Sequence, residues 1–466
     1  MVYPGVVNRH FSGHLPLFVT SDVGLRRIYY MSALTVLCCE RSQFRVSPRD
    51  FLTLSDRPGK QYFWDASMMA VVWALLEPEG MKMSLRAWLS GDLLHAYGLN
   101  MTTGAPMGPT WYAFSATNVF NTALTYIEVT GDRAFLEEDT PSSGKSALWR
   151  LDDIAMLWKE KVRLGQILAS FGGNGNLLES GAPTYLGAVA SLNAQSVGMM
   201  RDMARLHRAF GNNDRAGLLD AAADALLPAV LALYKPGEGV WFSMTDDGQR
   251  VEHRHVVDFI YVSQALASDI PPFMRREMRD FVQRELMMKN WLRAQSLKDP
   301  GARASARPDH GPMGSYDGWV ALSVAEMARL GDKAGALAFL RRTAVSTREG
   351  PYAQAHEFCG PDRMADDAPI CVAIGPTLKP FEIWTPSRVQ TSGGYSSREC
   401  IAGGAFACAI LSALFGLAPN IDGRMLTDQD ESRPVEASLR NLRFQGKMFD
   451  LVAGRNGVVA NPSLKA

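Results

Sequence analysis

The sequence predicts an all-α protein, an (α/α)6 toroid of six helical hairpins with a small C-terminal β-hairpin appendage. Helical periodicity runs through about twelve segments. Aromatic and titratable residues precede every second segment, and the alternation typical of strands is clear only near the C-terminus. If the helices alternate between an outer and an inner ring, all inner helices begin at one end of the toroid. The loops that lead into them then converge on one cleft.

The elements follow one another along the chain with few long gaps. The predicted helices are residues 21–40, 64–77, 80–97, 115–130, 145–168, 188–209, 214–233, 255–267, 272–290, 318–330, 333–346 and 400–416. The motifs in front of the even-numbered helices are Tyr62–Asp65, Pro109–Tyr112, Leu178–Gly181, His253–His255, Arg307–Trp319 and Arg398–Cys400. We expect the inner helices to be richer in small residues because both of their faces are packed.

Three domains are expected. Residues 1–20 form an N-terminal extension, residues 21–430 the barrel and catalytic domain, and residues 431–466 the β appendage. Residues 347–399 are too many for a passive connection, so we expect them to fold as a lid over the cleft.

Composition excludes several classes of function. The chain has 466 residues, with 48 Lys and Arg against 48 Asp and Glu, so neither a nucleic-acid nor a membrane partner is expected. The N-terminus lacks the pattern of a signal peptide and no apolar run is long enough to span a bilayer, which predicts a cytoplasmic protein. The six cysteines are expected to be free thiols. The oligomeric state stays open, a homo-oligomer included.

No cofactor or metal is expected. His253, His255 and Asp258 lie close together in sequence, but two histidines at i and i+2 face apart on a helix, and a third ligand at suitable spacing is missing. We therefore expect them to pack at the start of a helix. The sequence also lacks a dinucleotide-binding glycine motif, a P-loop and a serine-hydrolase GxSxG motif.

The stretch RPDHGPMGSYDGW, residues 307–319, is too rich in Gly and Pro for a helix interior. Arg307 can bind a carboxylate or hydroxyls, and Asp309 with His310 offers an acid–base pair. Tyr316 or Trp319 offers a ring on which a ligand can stack. These residue types together predict a ligand-binding loop.

Three motifs resemble the six-hairpin glycosidases, most closely glycoside hydrolase family 63 and the trehalases. They are YFWDASMMAVVWAL, the ESG before VASLNAQSVGMMRDMARL, and GGYSSRECIAGGAFACAILSALFG. The resemblance covers roughly residues 20–417. It implies an (α/α)6 barrel that hydrolyses a glycosidic bond with inversion, in which an acid and a base are ~6.5–9.5 Å apart.

The resemblance also implies roles for individual residues. Trp64 and Asp65 match the pair that binds the sugar, and Glu399 matches the general base. The family's acid is an aspartate two residues after the glycine of the ESG loop, where this chain has Pro183. The acid is therefore expected to be Glu179 or Asp309. The residues expected to bind substrate are Tyr62, Trp64, Asp65, Trp111, Arg307, His310, Tyr316, Trp319 and Glu357, the last also a rival for the base.

The sequence predicts a glycosidase that acts on an oligosaccharide, with Arg307 as an indication of a uronate-containing sugar. A polysaccharide lyase on the same toroid is an alternative, with Arg307, His310, Tyr316 and His356 as its candidate residues. A catalytically inactive carbohydrate-binding barrel is a second alternative, suggested by Pro183 at the position of the family's acid.

Overall fold

The protein is mainly helical, with several small antiparallel sheets. The computed structural model describes residues 11–41, 51–52, 60–93, 95–108, 112–141, 143–163, 165–173, 181–288, 292–305, 311–312, 314–343, 357–359, 401–427 and 429–463. The helices are α1 (Val23–Cys38), α2 (Phe63–Met68), α3 (Ala70–Leu76), α4 (Pro78–Leu89), α5 (Ala113–Thr130), α6 (Ala147–Met156), α7 (Trp158–Lys161), α8 (Ala190–Ala209), α9 (Asn213–Leu231), α10 (Val256–Leu266), α11 (Pro272–Phe281), α12 (Asp317–Arg329), α13 (Lys333–Arg342) and α14 (Ala405–Phe415). Short 3-10 turns cover Arg133–Glu137, Ala302–Ala304 and Ile401–Gly404, and a π-turn covers Val282–Leu286.

Local signals explain where many of these helices begin and end. The Asp22 carboxylate accepts a hydrogen bond from the Leu25 amide (3.0 Å) and caps α1, and Asp332 caps α13 in the same way. Helix α5 ends at Gly131, whose φ of 74° is in the left-handed region that favours glycine. The segment predicted as 64–77 is divided at Met69, where the backbone leaves the helical region.

Two sets of helices are distinguished by their contacts. In one set, α2 and α3 pack against α5, α5 against α8, α8 against α10, α10 against α12, α12 against α14, and α14 against α3. We call these the inner helices. Helices α1, α4, α6, α9 and α13 pack outside them. A Cβ atom at Gly198 of α8 would lie 3.2 Å from the Ala265 Cβ atom on α10, so a small residue permits this close approach.

The strands form more than the predicted small C-terminal hairpin, and that part of the fold prediction is wrong. They are β1 (Leu17–Thr20), β2 (Glu40–Arg41), β3 (Phe51–Leu52), β4 (Lys60–Tyr62), β5 (Gly98–Asn100), β6 (Pro106–Met107), β7 (Asp139–Thr140), β8 (Lys145–Ser146), β9 (Tyr234–Lys235), β10 (Val240–Met244), β11 (Arg250–His253), β12 (Gly314–Tyr316), β13 (Glu357–Cys359), β14 (Ala437–Phe444), β15 (Lys447–Gly454) and β16 (Gly457–Pro462).

The largest described sheet joins the two ends of the chain. Its strand order is β1-β14-β15-β16, and Leu17 of β1 pairs with Arg440 of β14. Strand β1 comes from the segment predicted as a separate N-terminal extension. Its four residues are too few to give a clear alternating pattern, and its partner is distant in sequence.

A sheet of β9, β10 and β11 lies just before α10 and was not predicted. Its two longer strands are joined through Thr245–Gly248, where Gly248 has a φ of 84°. The Asp-Asp-Gly in this turn was a hairpin signal. This sheet delivers His253 to the start of α10.

Strand β13 is the described part of the predicted lid. It pairs with β12, so that Glu357 is in register with Tyr316, immediately before α12. Among the described residues, every helix is too short or too polar to cross a lipid bilayer.

Candidate functional site

A closed circuit of aromatic rings lies where inner helices begin. Trp64 stacks on Phe114, with ring centroids 5.2 Å apart and planes 2° from parallel. The circuit continues through Phe114–Tyr185 (6.5 Å), Tyr185–His253 (4.7 Å), His253–His255 (5.5 Å), His255–Trp319 (5.3 Å) and Trp319–Trp64 (5.5 Å). These residues precede or open α2, α5, α8, α10 and α12. The N-terminal ends of these helices therefore meet at one place.

Trp64 is the half-buried tryptophan of this circuit, whereas Trp319 is fully buried, with 0% of its surface exposed. The Trp64 indole N–H donates a hydrogen bond to the hydroxyl of Tyr261, which is itself buried beside Phe114. Stacking and this bond fix the plane of Trp64. Trp319, which is predicted to bind substrate, contacts Trp64 from the buried side.

Asp65 joins the start of α2 to the strand before α12. The Tyr316 hydroxyl donates a hydrogen bond to Asp65 Oδ1, across 251 positions of sequence. Both side chains are half-buried. Tyr62, the N-cap position of α2, forms no side-chain cap hydrogen bond. Asp65 is thus a carboxylate at the edge of the circuit, beside Trp64.

A second row of rings continues from Tyr62. Its ring centroid is 5.4 Å from that of Tyr97, and Tyr97 lies 4.9 Å from Tyr112, which precedes α5. All three rings are half-buried; Tyr62 ends β4, and Tyr97 directly precedes β5. The row joins the N-cap position of α2 to the N-cap position of α5.

His253 and His255 are parts of the circuit. The His253 Nδ1 atom donates to Asp258 Oδ2 (2.6 Å), and the Ser191 amide donates to Asp258 Oδ1 (3.0 Å). The Val257 amide donates to His255 Nδ1 (3.2 Å), which caps α10. Within the described ranges, no group of three His, Cys, Asp or Glu residues is placed to hold a metal ion. The two imidazoles stack because the chain is extended here, and residues i and i+2 of a strand face the same side.

The structure brings together some of the predicted site residues. Trp64, Asp65, Tyr316 and Trp319 meet, and Tyr62 lies next to them in the chain. The predicted residues outside the described ranges are Trp111, Glu179, Arg307, Asp309, His310 and Glu399. Of Glu357, the structure describes the backbone pairing in β13.

Sequence reasoning missed Phe114, Tyr185 and Tyr261 as parts of this site. Phe114 and Tyr185 are aromatic residues close to the starts of inner helices, a signal that was available. Tyr261 lies inside α10, where an aromatic residue is as typical of an ordinary core.

Behind the circuit, an axial cavity of about 580 Å³ is lined by residues of α2, α3, α5, α8, α10, α12 and α14. Two amide side chains in its wall link α5, α8 and α10. Asn121 donates to Gln195 Oε1 (3.0 Å), and the Gln195 amide donates to the Tyr261 carbonyl oxygen (2.8 Å). The cavity therefore extends from Tyr261 towards the ends of the inner helices.

Charged side chains surround the other end of the axial cavity. Asp202 pairs with Arg205, and Glu326 with Arg329 (3.0 Å). Burial raises the pKa of Asp202 to about 6 in spite of Arg205. Burial and the nearby Asp202 raise the pKa of Glu128 well above its usual range. Among the described residues, charged side chains line this end of the cavity, and the aromatic circuit lies at the other.

The chain has the fold of a group of glycoside hydrolases. It is similar to a sialidase structure with a TM-score of 0.69 at 14% identity, covering 96% of this chain and 40% of that one. It is also similar to a family 78 rhamnosidase of Bacillus sp. GL1, with a TM-score of 0.62 at 14% identity, covering 97% and 41%. A rhamnosidase from Klebsiella oxytoca with rhamnose bound gives a TM-score of 0.56 at 15% identity, covering 86% and 66%.

This chain thus spans about two fifths of the length of the first two proteins. No protein-family profile matches the sequence, and no curated protein matches it. The likeness in fold does not extend to a particular family, so the resemblance to glycoside hydrolase family 63 and the trehalases stays a prediction.

Proposed function

We propose that the protein is a glycoside hydrolase that cleaves an oligosaccharide with inversion of the anomeric centre. The observation that carries the proposal is the half-buried Trp64 beside Asp65 and Tyr316, where the inner helices begin. A flat ring next to a carboxylate suits a sugar, which offers an apolar face and a rim of hydroxyls. The fold, shared with glycoside hydrolases, supports the same function.

The (α/α)6 toroid is part of this proposal. Two observations support it: the cyclic order of contacts among the inner helices, and an axial cavity lined by all of them. In such a toroid, the loops before α8, α12 and α14 open on the same cleft as Trp64. Those loops contain Glu179, Asp309 and Glu399 respectively.

The proposed roles of individual residues follow from this site. Trp64 stacks on the sugar, and Asp65, oriented by Tyr316, accepts hydrogen bonds from its hydroxyls. Glu179 or Asp309 protonates the leaving oxygen, and Glu399 removes a proton from the attacking water. Acid and base are separated by ~6.5–9.5 Å to leave room for that water. Arg307 would bind the carboxylate of a uronate-containing sugar. An oligosaccharide is the proposed partner, in a cytoplasmic setting without nucleic acid or membrane.

A lyase is less well supported by the observed contacts. A lyase that uses Tyr316 as its base needs the tyrosine hydroxyl to lose its proton. That hydroxyl donates to Asp65, and a phenolate beside a carboxylate would place two negative charges in contact. The contact favours Tyr316 as a residue that orients Asp65.

The test is turnover of a panel of neutral and uronate-containing oligosaccharides. Wild type is compared with Glu179→Gln, Asp309→Asn and Glu399→Gln, and with Glu137→Gln, an exposed residue of a 3-10 turn, as control. Products are followed by the anomeric NMR signal and by ultraviolet absorbance. We expect a saturated, inverted product, lost by more than ~10²-fold in Glu399→Gln and in one of the two acid variants.

Each other outcome contradicts the proposal in a recognisable way. An unsaturated product that absorbs in the ultraviolet identifies a lyase. Saturable binding of oligosaccharide without turnover identifies an inactive carbohydrate-binding barrel. Hydrolysis that survives all three substitutions removes these carboxylates from the mechanism.

A further inference from the structure

Asp299 is a buried carboxylate that joins three separate segments of the chain. Its exposed fraction is 4%. The Thr184 hydroxyl lies 3.0 and 3.1 Å from its two oxygens and donates to them. The Arg254 amide donates to Oδ2 (2.7 Å), and the Gly301 amide donates to Oδ1 (2.8 Å).

Each joined segment continues into a part of the proposed site. Thr184 lies between Glu179 and α8, next to Tyr185 of the aromatic circuit. Arg254 stands between His253 and His255, which are also in the circuit. Beyond Gly301, the chain continues to Arg307–His310.

The same segments are in direct contact at Gly301. A Cβ atom at this position would lie 3.1 Å from Pro183 Cδ and 3.2 Å from Thr184 Cγ2. Pro183 is the residue that stands where the resembled family has its acid. The contact leaves little room for the two segments to shift relative to each other.

We propose that Asp299 is a positioning residue that fixes the segment after Glu179 relative to the segment before Asp309. The proposal rests on the proposed function. A carboxylate suits the position because three donors converge on it, and it accepts from all of them. Asparagine would turn an N–H group towards either Arg254 or Gly301 and lose one backbone bond. Asp299 acts through the two segments, one of which leads to the general acid.

A displaced general acid has a distinctive kinetic effect. An alkyl glycoside needs its leaving oxygen protonated, whereas fluoride leaves a glycosyl fluoride with far less help. Loss of the Thr184 contact should therefore slow the first substrate much more than the second. A general loss of folded protein would slow both equally.

The experiment compares Thr184→Val with Thr184→Ser, which keeps the hydroxyl, and with Asp299→Asn. The matched control is Thr343→Val, since Thr343 is equally buried (4%, as Thr184 is) and its hydroxyl bonds to a helix carbonyl of α13. Both substrates carry the sugar that the wild type releases. We expect kcat on the alkyl glycoside to fall roughly 10- to 100-fold in Thr184→Val and Asp299→Asn. On the fluoride, we expect a fall of less than about 3-fold, with Thr184→Ser close to wild type.

Two results overturn the proposal and are distinct from each other. Equal losses on both substrates, or the same pattern in Thr343→Val, mean that Asp299 serves stability alone while the proposed function stands. Absence of hydrolysis by the wild type removes the proposed function, and this proposal with it. Circular dichroism spectra record whether each variant is folded, and Asp299→Asn still tests the proposal if Thr184→Val does not fold.

Discussion

The two ends of the inner helices differ in their chemistry. At the end where the helices begin, aromatic rings from five segments close into a circuit that includes Trp64. At the end where they finish, charged pairs such as Asp202–Arg205 surround the axial cavity. The connections between helices also differ in length: those that follow inner helices are short, and those that lead into inner helices are long. Short connections run from Thr130 to Arg133, Ala209 to Asn213, Leu266 to Pro272 and Arg329 to Lys333, and long ones from Leu89 to Ala113, Lys161 to Ala190 and Leu231 to Val256.

This difference is why the proposed sugar site is assigned to the end with the aromatic circuit. Short connections offer few side chains, and the charged groups at this end pair with one another in the wall of the cavity. Long connections bring side chains from distant parts of the sequence to one surface. Two carboxylates differ in the same way. Glu285, near the aromatic circuit, has its pKa lowered to about 2, whereas Asp202, at the charged end, has its pKa raised to about 6.

Glu285→Gln should have the largest effect on stability. Burial alone would raise the pKa of Glu285, but hydrogen bonds from Arg254, Ser296 and Arg284 lower it to about 2. Because this carboxyl's pKa is lower in the folded than in the unfolded state, its contribution is present above about pH 4.3 and is lost as the pH falls towards 2. We expect the variant to lose about 3 kcal/mol at pH 7 and to show a weaker pH dependence below pH 4.5. Urea unfolding across this pH range measures both.

An unchanged unfolding free energy at pH 7 would mean that the Arg254–Glu285 pair does not stabilise the region of the aromatic circuit. The pair is bidentate, with N···O distances of 2.6 and 3.0 Å, and both side chains are buried. Arg254 lies between the two circuit histidines, so we also expect the variant to alter their NMR signals.

Trp64→Ala should have the next largest effect, and mainly on activity. The substitution removes the half-buried ring on which the sugar is proposed to stack. We expect kcat/KM to fall roughly 30-fold, which corresponds to about 2 kcal/mol. Trp149→Ala is the matched control, since Trp149 is a 41% exposed tryptophan on the outer helix α6. Similar losses of kcat/KM in the two variants would contradict the assignment of Trp64 to the sugar site.

Asp202→Asn should have the smallest effect, with the opposite pH dependence to Glu285→Gln. Because burial raises the pKa of Asp202, the folded state binds its proton more tightly than the unfolded state, and wild-type stability falls as the pH rises from about 4 to about 6. The variant should lack this fall and gain about 1 kcal/mol relative to wild type at pH 7. Unfolding curves at pH 4, 6 and 7.5 measure it. A steeper fall of the unfolding free energy with rising pH in the variant than in wild type would contradict the raised pKa of Asp202.

Helix positions were predictable from the sequence because periodicity and capping are local. Trp64 and Asp65 were predicted as site residues because their motif at a helix start resembles that of the six-hairpin glycosidases. Their partners were not, because the Tyr316–Asp65 contact spans 251 positions and ring stacking depends on packing between helices. Strand β1 was missed for the same reason, since it pairs with β14 near the other end of the chain. His253 and His255 were expected to face apart, as on a helix, whereas β11 ends at His253 and the two rings stack on one side.

The most direct test of the central claim compares the same substitution at the two ends. Asp65→Asn changes the carboxylate beside Trp64, and Asp202→Asn changes one at the charged end. We measure kcat/KM for hydrolysis of the best oligosaccharide in the panel. We predict a fall of roughly 10- to 100-fold for Asp65→Asn and of less than about 2-fold for Asp202→Asn. Equal falls in kcat/KM, or a larger fall for Asp202→Asn, would contradict the assignment of the sugar site to the end with the aromatic circuit.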